Sequence, residues 1–119
     1  MGILDFGTKA QVEELAFRIG VGMQQIEREL ITYSNQNTPT LRGLALALMQ
    51  EKEKMSKLIS FLTPTSREKL KVRYNNEKIS YLIFIGRMKQ VSDIVDDITG
   101  INFFNSTREV NGQIYHVKS

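Results

Sequence analysis

Three carboxylates near residue 95 are the first candidates for chemistry in this sequence. Asp93, Asp96 and Asp97 form an acidic cluster in which residues 93 and 97 lie one turn apart on a helix face. Carboxylates at this spacing could hold Mg²⁺ for a phosphohydrolase, because Mg²⁺ prefers oxygen ligands. Helical sites of that kind draw ligands from two helices, and the sequence lacks the recurring paired acidic residues they need. We therefore interpret the cluster as a solvated acidic helix end. The alternative is a magnesium-dependent phosphohydrolase with Asp93 and Asp97 as metal ligands.

A block of basic residues precedes the acidic cluster. Residues 64–91 carry seven Lys or Arg against two Asp or Glu, although the net charge of the whole chain is only +3. Charge concentrated in this way suggests a binding partner, and the phosphates of a nucleic acid are one candidate. The residues predicted to bind that partner are Arg67, Lys69, Lys71, Arg73 and Lys78, with Lys52, Lys54 and Lys57 as additions to the same surface.

The remaining residue types exclude several classes of site. His116 is the only histidine and the chain has no cysteine, so a paired-histidine metal site, a thiolate zinc site and a cysteine nucleophile are all excluded. No glycine-rich phosphate loop and no serine nucleophile elbow occurs. We predict that the protein is not an enzyme and uses no cofactor.

Length and composition bound the class of protein. The chain has 119 residues, 41% of them apolar and 24% charged, which is ordinary for one globular domain spanning residues 1–119. The N-terminus lacks the pattern of a signal peptide, and the unbroken apolar runs are too short to span a bilayer. A cytoplasmic protein without a membrane segment is expected.

Two helices are predicted in the first half of the chain. Residues 9–34 repeat apolar side chains at alternating steps of four and three residues, and Thr8 with Gln11 forms a capping box before them. Within this helix Ala16 and Gly20 are small enough to let another helix approach closely. Thr38-Pro39 is the start of a second helix over residues 39–62, which Thr63-Pro64 ends.

The segment 66–99 is predicted to be a third helix. Its apolar residues also recur at steps of three and four, with Glu77 as the only break, and Thr65 with Glu68 forms a capping box at its start. A rival interpretation is a β-hairpin over residues 69–85, because Lys69 to Tyr74 alternates with a period of two and Asn75-Asn76 suits a turn. The helix is preferred because its period continues to Ile98.

The fold expected from these elements is an all-α, three-helix antiparallel up-and-down bundle with coiled-coil-like packing. Thr99-Gly100 ends the third helix, and a short irregular or hairpin tail occupies residues 101–119. Asn111-Gly112 is the strongest hairpin signal in this tail. The alternative architecture is α+β, with the hairpin at 69–85.

The order of charges along residues 66–99 breaks a rule of helix stability. Basic residues crowd the start of the predicted helix and the three aspartates crowd its end, whereas the helix dipole favours the opposite order. One explanation is the hairpin, and another is an antiparallel homodimer that places the basic end of one copy, with Arg67, Lys71 and Lys78 on one face, against the acidic end of the other. A third explanation is that the basic residues bind the phosphates of a nucleic acid. The remaining alternative is a solvated charged face without a partner.

The function expected from the sequence is that of a helical interaction or adaptor protein, which self-associates or docks onto a helical partner. Apolar residues outside the main stripes support a second interface; they are Phe17, Val21, Val72, Ile79 and Ile83. The alternative is a nucleic-acid-binding accessory subunit that uses the basic block 67–78.

Overall fold

Helices dominate the structure, a computed structural model that describes the backbone of residues 2–105, 107–110 and 113–116 and the side chains of residues 7–105. In chain order the elements are α1 (Gly2–Thr32), α2 (Pro39–Ile59), α3 (Pro64–Glu68), β1 (Lys71–Tyr74), β2 (Glu77–Ser80), α4 (Tyr81–Thr99), β3 (Thr107–Val110) and β4 (Gln113–His116). The expectation of a mostly helical chain is therefore confirmed. Within these described ranges, no helix is both long enough and apolar enough to cross a membrane.

Helix α1 starts earlier than the sequence predicts. The helix already includes Gly2, so Thr8 is an interior residue and the proposed capping box at Thr8 is wrong. Residues 2–8 contain no proline, the residue that interrupts a helix most strongly, so the helix continues through them despite Gly7. The predicted apolar stripe is buried from Val12 to Leu30.

Glycine lets the two long N-terminal helices pack closely. Helix α2 begins as predicted, with the Thr38 hydroxyl accepting a hydrogen bond from the backbone N–H of Leu41 at 3.0 Å. A methyl group added to Gly22 of α1 would lie 2.5 Å from a methyl carbon of Leu48 of α2, inside van der Waals contact. The close approach between α1 and α2 therefore occurs at Gly22, two residues beyond the predicted Gly20.

The predicted single helix over residues 66–99 is wrong. The structure replaces it with α3, the β1–β2 hairpin and α4, so the alternative of a hairpin within residues 69–85 is correct in kind and narrower in extent. Leu70 and Tyr74 are both buried, because positions four apart fall on the same side of a strand as well as of a helix. Glu77, the one break in the helical series, is the first residue of β2.

The β1–β2 hairpin has the turn that its sequence favours. Asn75 and Asn76 adopt φ angles of 56° and 66°, the left-handed conformation of both central residues in a type I′ turn. β1 alternates between exposed and buried residues, with Val72 and Tyr74 facing the core. A short α3 precedes the hairpin, and its cap is Thr63, not the predicted Thr65, because Pro64 takes the first helical position.

Helix α4 keeps the predicted stripe and end signal, but it begins at Tyr81, with Ser80 as its cap, and not at the predicted start near residue 66. The Ser80 hydroxyl accepts a hydrogen bond from the backbone N–H of Ile83 at 3.2 Å, and Gly100 closes the helix with a φ of 78°. The stripe from Phe84 to Val95 is buried against the rest of the core. Ile101 and Phe103 then fold back and are fully buried.

The C-terminal tail contains a second hairpin. Strand β3 pairs antiparallel with β4, and Val110 lies opposite Gln113. The predicted Asn111-Gly112 turn lies outside the described residues, as does the side chain of His116.

Candidate functional site

The outer face of the β1–β2 hairpin brings three predicted binding residues together. Lys71 and Arg73 occupy the exposed positions of β1, and Lys78 of β2 pairs directly opposite Arg73. Like charges that face each other across a sheet are destabilising. Within residues 7–105, none of these three side chains forms an ion pair with a carboxylate.

Polar contacts fix this hairpin to α1 at both of its ends. The Glu13 carboxylate accepts a hydrogen bond from the backbone N–H of Lys71 at 3.3 Å. At the turn, the Gln24 side-chain amide donates to the Asn75 side-chain oxygen at 3.0 Å. The cations on the outer face are therefore held at a defined place above α1.

Packing of Tyr74, the last residue of β1, holds the hairpin against the core next to its turn. Its ring lies so close to Gly20 that an added methyl group there would be 2.9 Å from the ring carbon Cδ1. The same ring packs edge-to-face on Phe84 of α4, with 5.9 Å between ring centroids. Gly20 therefore accommodates the aromatic ring of the hairpin, whereas the sequence predicts that it accommodates a helix.

A groove runs between α1 and the outer face of the hairpin. Its main part has a volume of about 400 Å³ and is lined by Glu13, Glu14, Phe17, Lys71, Arg73 and Lys78. A cleft of about 200 Å³ shares Phe17 and Arg73 with it and continues past Val21 to the turn at Asn75 and Asn76. We call these two parts together the α1–hairpin groove.

The groove has one cationic wall and one mixed wall. Lys71, Arg73 and Lys78 belong to the hairpin, whereas α1 contributes carboxylates and exposed apolar surface. Phe17 is 46% exposed and Val21 is 39% exposed, which are large values for side chains of this kind. On the α1 wall, Glu14 already forms an ion pair with Arg18 at 3.0 Å.

The other predicted binding residues lie elsewhere. Arg67 lies in α3, where it lines a separate groove with Tyr81 and Leu82, and Lys69 is exposed at the C-terminal cap of α3 without lining the α1–hairpin groove. The prediction that Arg67, Lys71 and Lys78 share one helix face is therefore wrong, because no helix connects them.

The lysines of α2 do not add to this surface in the way predicted. The Lys52 ammonium lies 4.7 Å from the centre of the Phe104 ring, and burial lowers the pKa of Lys52. Lys54 lies 3.8 Å from Glu51 in its own helix. Lys52 and Lys54 thus contact neighbours within the fold, and none of Lys52, Lys54 and Lys57 lines the α1–hairpin groove.

The acidic cluster on α4 is already engaged in part. Asp93 forms an ion pair with Lys89 at 3.0 Å, and Asp96 accepts a hydrogen bond from the Asn102 side-chain amide at 3.2 Å. Across the part of the chain that the structure describes, no group of three or more His, Cys, Asp or Glu residues is placed to hold a metal ion.

Sequence reasoning identified the cations of the groove but not the groove itself. Phe17 stood out only as an apolar residue beside the main stripe of α1, and nothing local in the sequence connects it with Arg73, more than fifty residues away. The available signal was the period-two alternation in β1, which places Lys71 and Arg73 on one face as soon as that segment is taken as a strand.

Comparison with known proteins gave no relative for this chain: no family model, no curated protein and no solved structure matches it.

Proposed function

We propose that this chain is a non-enzymatic helical interaction module, an adaptor that docks onto another protein through the α1–hairpin groove. The partner segment is acidic and carries at least one large apolar side chain. The observation that supports this most directly is the exposed pair of Arg73 and Lys78, directly opposite each other and without a carboxylate partner within residues 7–105. An acidic side chain from the partner would relieve their repulsion.

The apolar part of the groove supports a protein partner. Phe17 and Val21 are exposed beside the cations, so a bound segment buries apolar surface while its carboxylates meet the hairpin. Interfaces between proteins commonly combine a buried aromatic anchor with charges at the rim.

The carboxylates of the groove argue against a nucleic acid. Glu13 and Glu14 line the wall opposite the cations and would repel a phosphate backbone lying in the groove. Phosphate binding is favoured by a continuous cationic stripe, whereas three cations facing two carboxylates suit a polypeptide that places its carboxylates against the hairpin and its apolar side chains against α1. Binding to nucleic acid through the basic block 67–78 is therefore the alternative that the experiment below must separate.

The scaffold that we propose for this surface is a three-helix arrangement of α1, α2 and α4 with coiled-coil-like packing. The buried stripes of the three helices belong to one core cluster, which supports this arrangement. The β1–β2 hairpin is joined to that scaffold by Glu13, Gln24 and the ring of Tyr74. A cytoplasmic setting is part of the same proposal.

Selection from a library of random displayed peptides tests the proposal directly. We expect the protein to enrich sequences that combine Asp or Glu with Phe, Leu or Ile, and we expect synthetic copies of those peptides to bind with an affinity that falls as salt increases. Phe17→Ser and Lys78→Glu should each weaken binding roughly tenfold, a change of about 1.4 kcal/mol.

Matched controls make the result specific to the groove. Phe61→Ser removes an even more exposed phenylalanine elsewhere, and Lys69→Glu reverses an exposed charge of the same basic block outside the groove. Both variants should bind the selected peptides as the parent chain does. Equal losses in the groove and control variants, or no enrichment of acidic peptides, would overturn the proposal. The nucleic-acid alternative would replace the proposal if a fluorescent oligonucleotide bound more tightly than the selected peptides, with a dependence on salt, and lost that binding in Lys78→Glu.

A further inference from the structure

Helix α4 carries a second regular stripe on its solvent-exposed side. Its members are spaced by steps of four, three, four and three residues, which is the period of a helix that packs along another helix. They are Ile83, Arg87, Gln90, Ile94 and Asp97, and all five are exposed. Ile83 is 56% exposed and Ile94 is 48% exposed. A stripe with isoleucines near both ends and polar residues between them has no partner within the described chain.

The charges along α4 are ordered from basic to acidic. Arg87 lies in the first half of α4, whereas Asp93, Asp96 and Asp97 lie in its last two turns, with no basic residue in the last turn. Carboxylates at a helix C-terminus are disfavoured by the helix dipole, by about 0.3–1 kcal/mol each. Asp97, which is exposed, forms no ion pair within residues 7–105. A positive group from outside the helix would therefore stabilise the end of α4.

A two-fold antiparallel pair of α4 helices would cover the exposed isoleucines and also bring a positive group to the acidic end of each helix. In antiparallel helix pairs, residues whose numbers have a constant sum lie opposite each other, and placing Ile83 against the partner's Ile94 sets that sum for the whole helix. Arg87 then lies across from the partner's Gln90 and close to the partner's Asp93. Asp97 then lies beside the N-terminus of the partner's α4, where the positive end of the helix dipole favours a carboxylate.

Gly86 is consistent with a close approach on this side. It is exposed in the interior of α4, and a methyl group added there would meet nothing within 4 Å. A glycine at such a position costs about 1 kcal/mol relative to alanine in an isolated helix. Its small size leaves room for the backbone of a second helix.

We propose that the exposed stripe of α4 binds a second copy of this chain in that antiparallel register. The dimer is expected to be weak, because one pair of helices buries an area near or below the lower limit of stable interfaces, roughly 1,200 Å². It does not use the α1–hairpin groove, so each copy keeps its groove for a partner. The proposed dimer thus presents two docking sites.

Single-cysteine cross-linking tests the register. The chain has no cysteine, so Gln90→Cys introduces one thiol near the two-fold axis and Gln50→Cys introduces one on the exposed side of α2 as a matched control. With a short bis-maleimide, Gln90→Cys should give a covalent dimer in a yield that rises with protein concentration. Equal yields from the two variants, or a monomeric mass by light scattering at every concentration, would overturn the proposal.

A charge exchange tests the pairing of α4 with α4. Arg87→Asp and Asp93→Arg should each weaken the dimer roughly tenfold, and the double variant should restore it. Far-UV circular dichroism of each variant checks that the helix content is unchanged. Failure of the double variant to restore dimerisation, with folding intact, would contradict the register. These α4 variants should leave peptide binding in the groove unchanged, which separates this test from that of the proposed function.

Discussion

Arg73 and Lys78 lie directly opposite each other on the exposed face of the β1–β2 hairpin, and within residues 7–105 no carboxylate pairs with either. A two-stranded sheet has few cross-strand pairs, so a repulsive one lowers the stability of the hairpin noticeably. The same pair lines the groove that we propose as the docking surface. Stability and binding should therefore respond to this pair in opposite directions.

Lys78→Glu should make the free protein more stable. The substitution turns a like-charge pair into an opposite-charge pair with Arg73, which is worth roughly 0.2–1 kcal/mol across two strands. Urea unfolding should show a higher midpoint with an unchanged slope. Lys78→Gln removes the repulsion without adding an attraction, so its urea midpoint should fall between those of the parent chain and Lys78→Glu. A Lys78→Glu variant less stable than the parent chain would show that an acidic group in the groove, such as Glu13, already balances Lys78.

Gly20→Ala should destabilise the protein, although alanine is the better helix former. The added methyl group meets the buried ring of Tyr74 at 2.9 Å, so the hairpin must shift, and overpacking of this kind costs about 1–3 kcal/mol. Gly43→Ala is the matched control, because a methyl group there meets nothing within 4 Å and should stabilise α2 by up to about 1 kcal/mol. Thermal unfolding should give shifts of opposite sign. Equal stabilisation by both changes would mean that Tyr74 does not depend on Gly20.

Local signals in the sequence predict most of the scaffold. The proline at the start of α2, the glycine after α4 and the apolar stripes of α1, α2 and α4 all have the predicted role, because each depends on residues within one or two turns. The prediction for residues 66–80 was wrong because the spacing of Leu70 and Tyr74 fits a helical period and a strand period equally well. Between Leu70 and Tyr74, the apolar residue that distinguishes a strand from a helix is Val72. It is buried in the strand, whereas a helix would place it beside the apolar stripe.

The candidate site could be predicted only in part, for a different physical reason. Lys71, Arg73 and Lys78 were found because charge along the chain is visible in the sequence. Their position above Phe17 depends on the packing of Tyr74 against Gly20 and Phe84, contacts that join three separate elements. Arg67 is close in sequence but lies in α3, and composition alone could not separate it from the others.

The stability of the protein should depend on how readily residue 76 adopts the left-handed backbone conformation of the hairpin turn. Asn76 has a φ of 66°, so Asn76→Gly places the residue most tolerant of that conformation in a type I′ turn and should stabilise the protein by a few tenths of a kcal/mol. Asn76→Val places a β-branched side chain there and should cost about 1–2 kcal/mol. Chemical unfolding of Asn76→Gly and Asn76→Val compares their free energies of unfolding directly. If both variants match the parent chain, the hairpin does not contribute to the cooperative unfolding of the protein.

High pH should weaken the protein through Tyr74. Burial raises the pKa of Tyr74 above its ordinary value of 10.0, the charge of Glu27 raises it further, and Arg87 partly opposes the rise. The folded state therefore holds this proton more tightly than the unfolded state, so the stabilisation is complete below about pH 10 and is lost as the pH rises through the folded pKa. Above pH 10 the free energy of unfolding should fall less steeply for Tyr74→Phe than for the parent chain. Tyr33→Phe, a change at a half-exposed tyrosine beyond the end of α1, is the control and should keep the parent slope. Identical slopes for all three proteins would show that Tyr74 gains or loses its proton equally well in the folded and unfolded states.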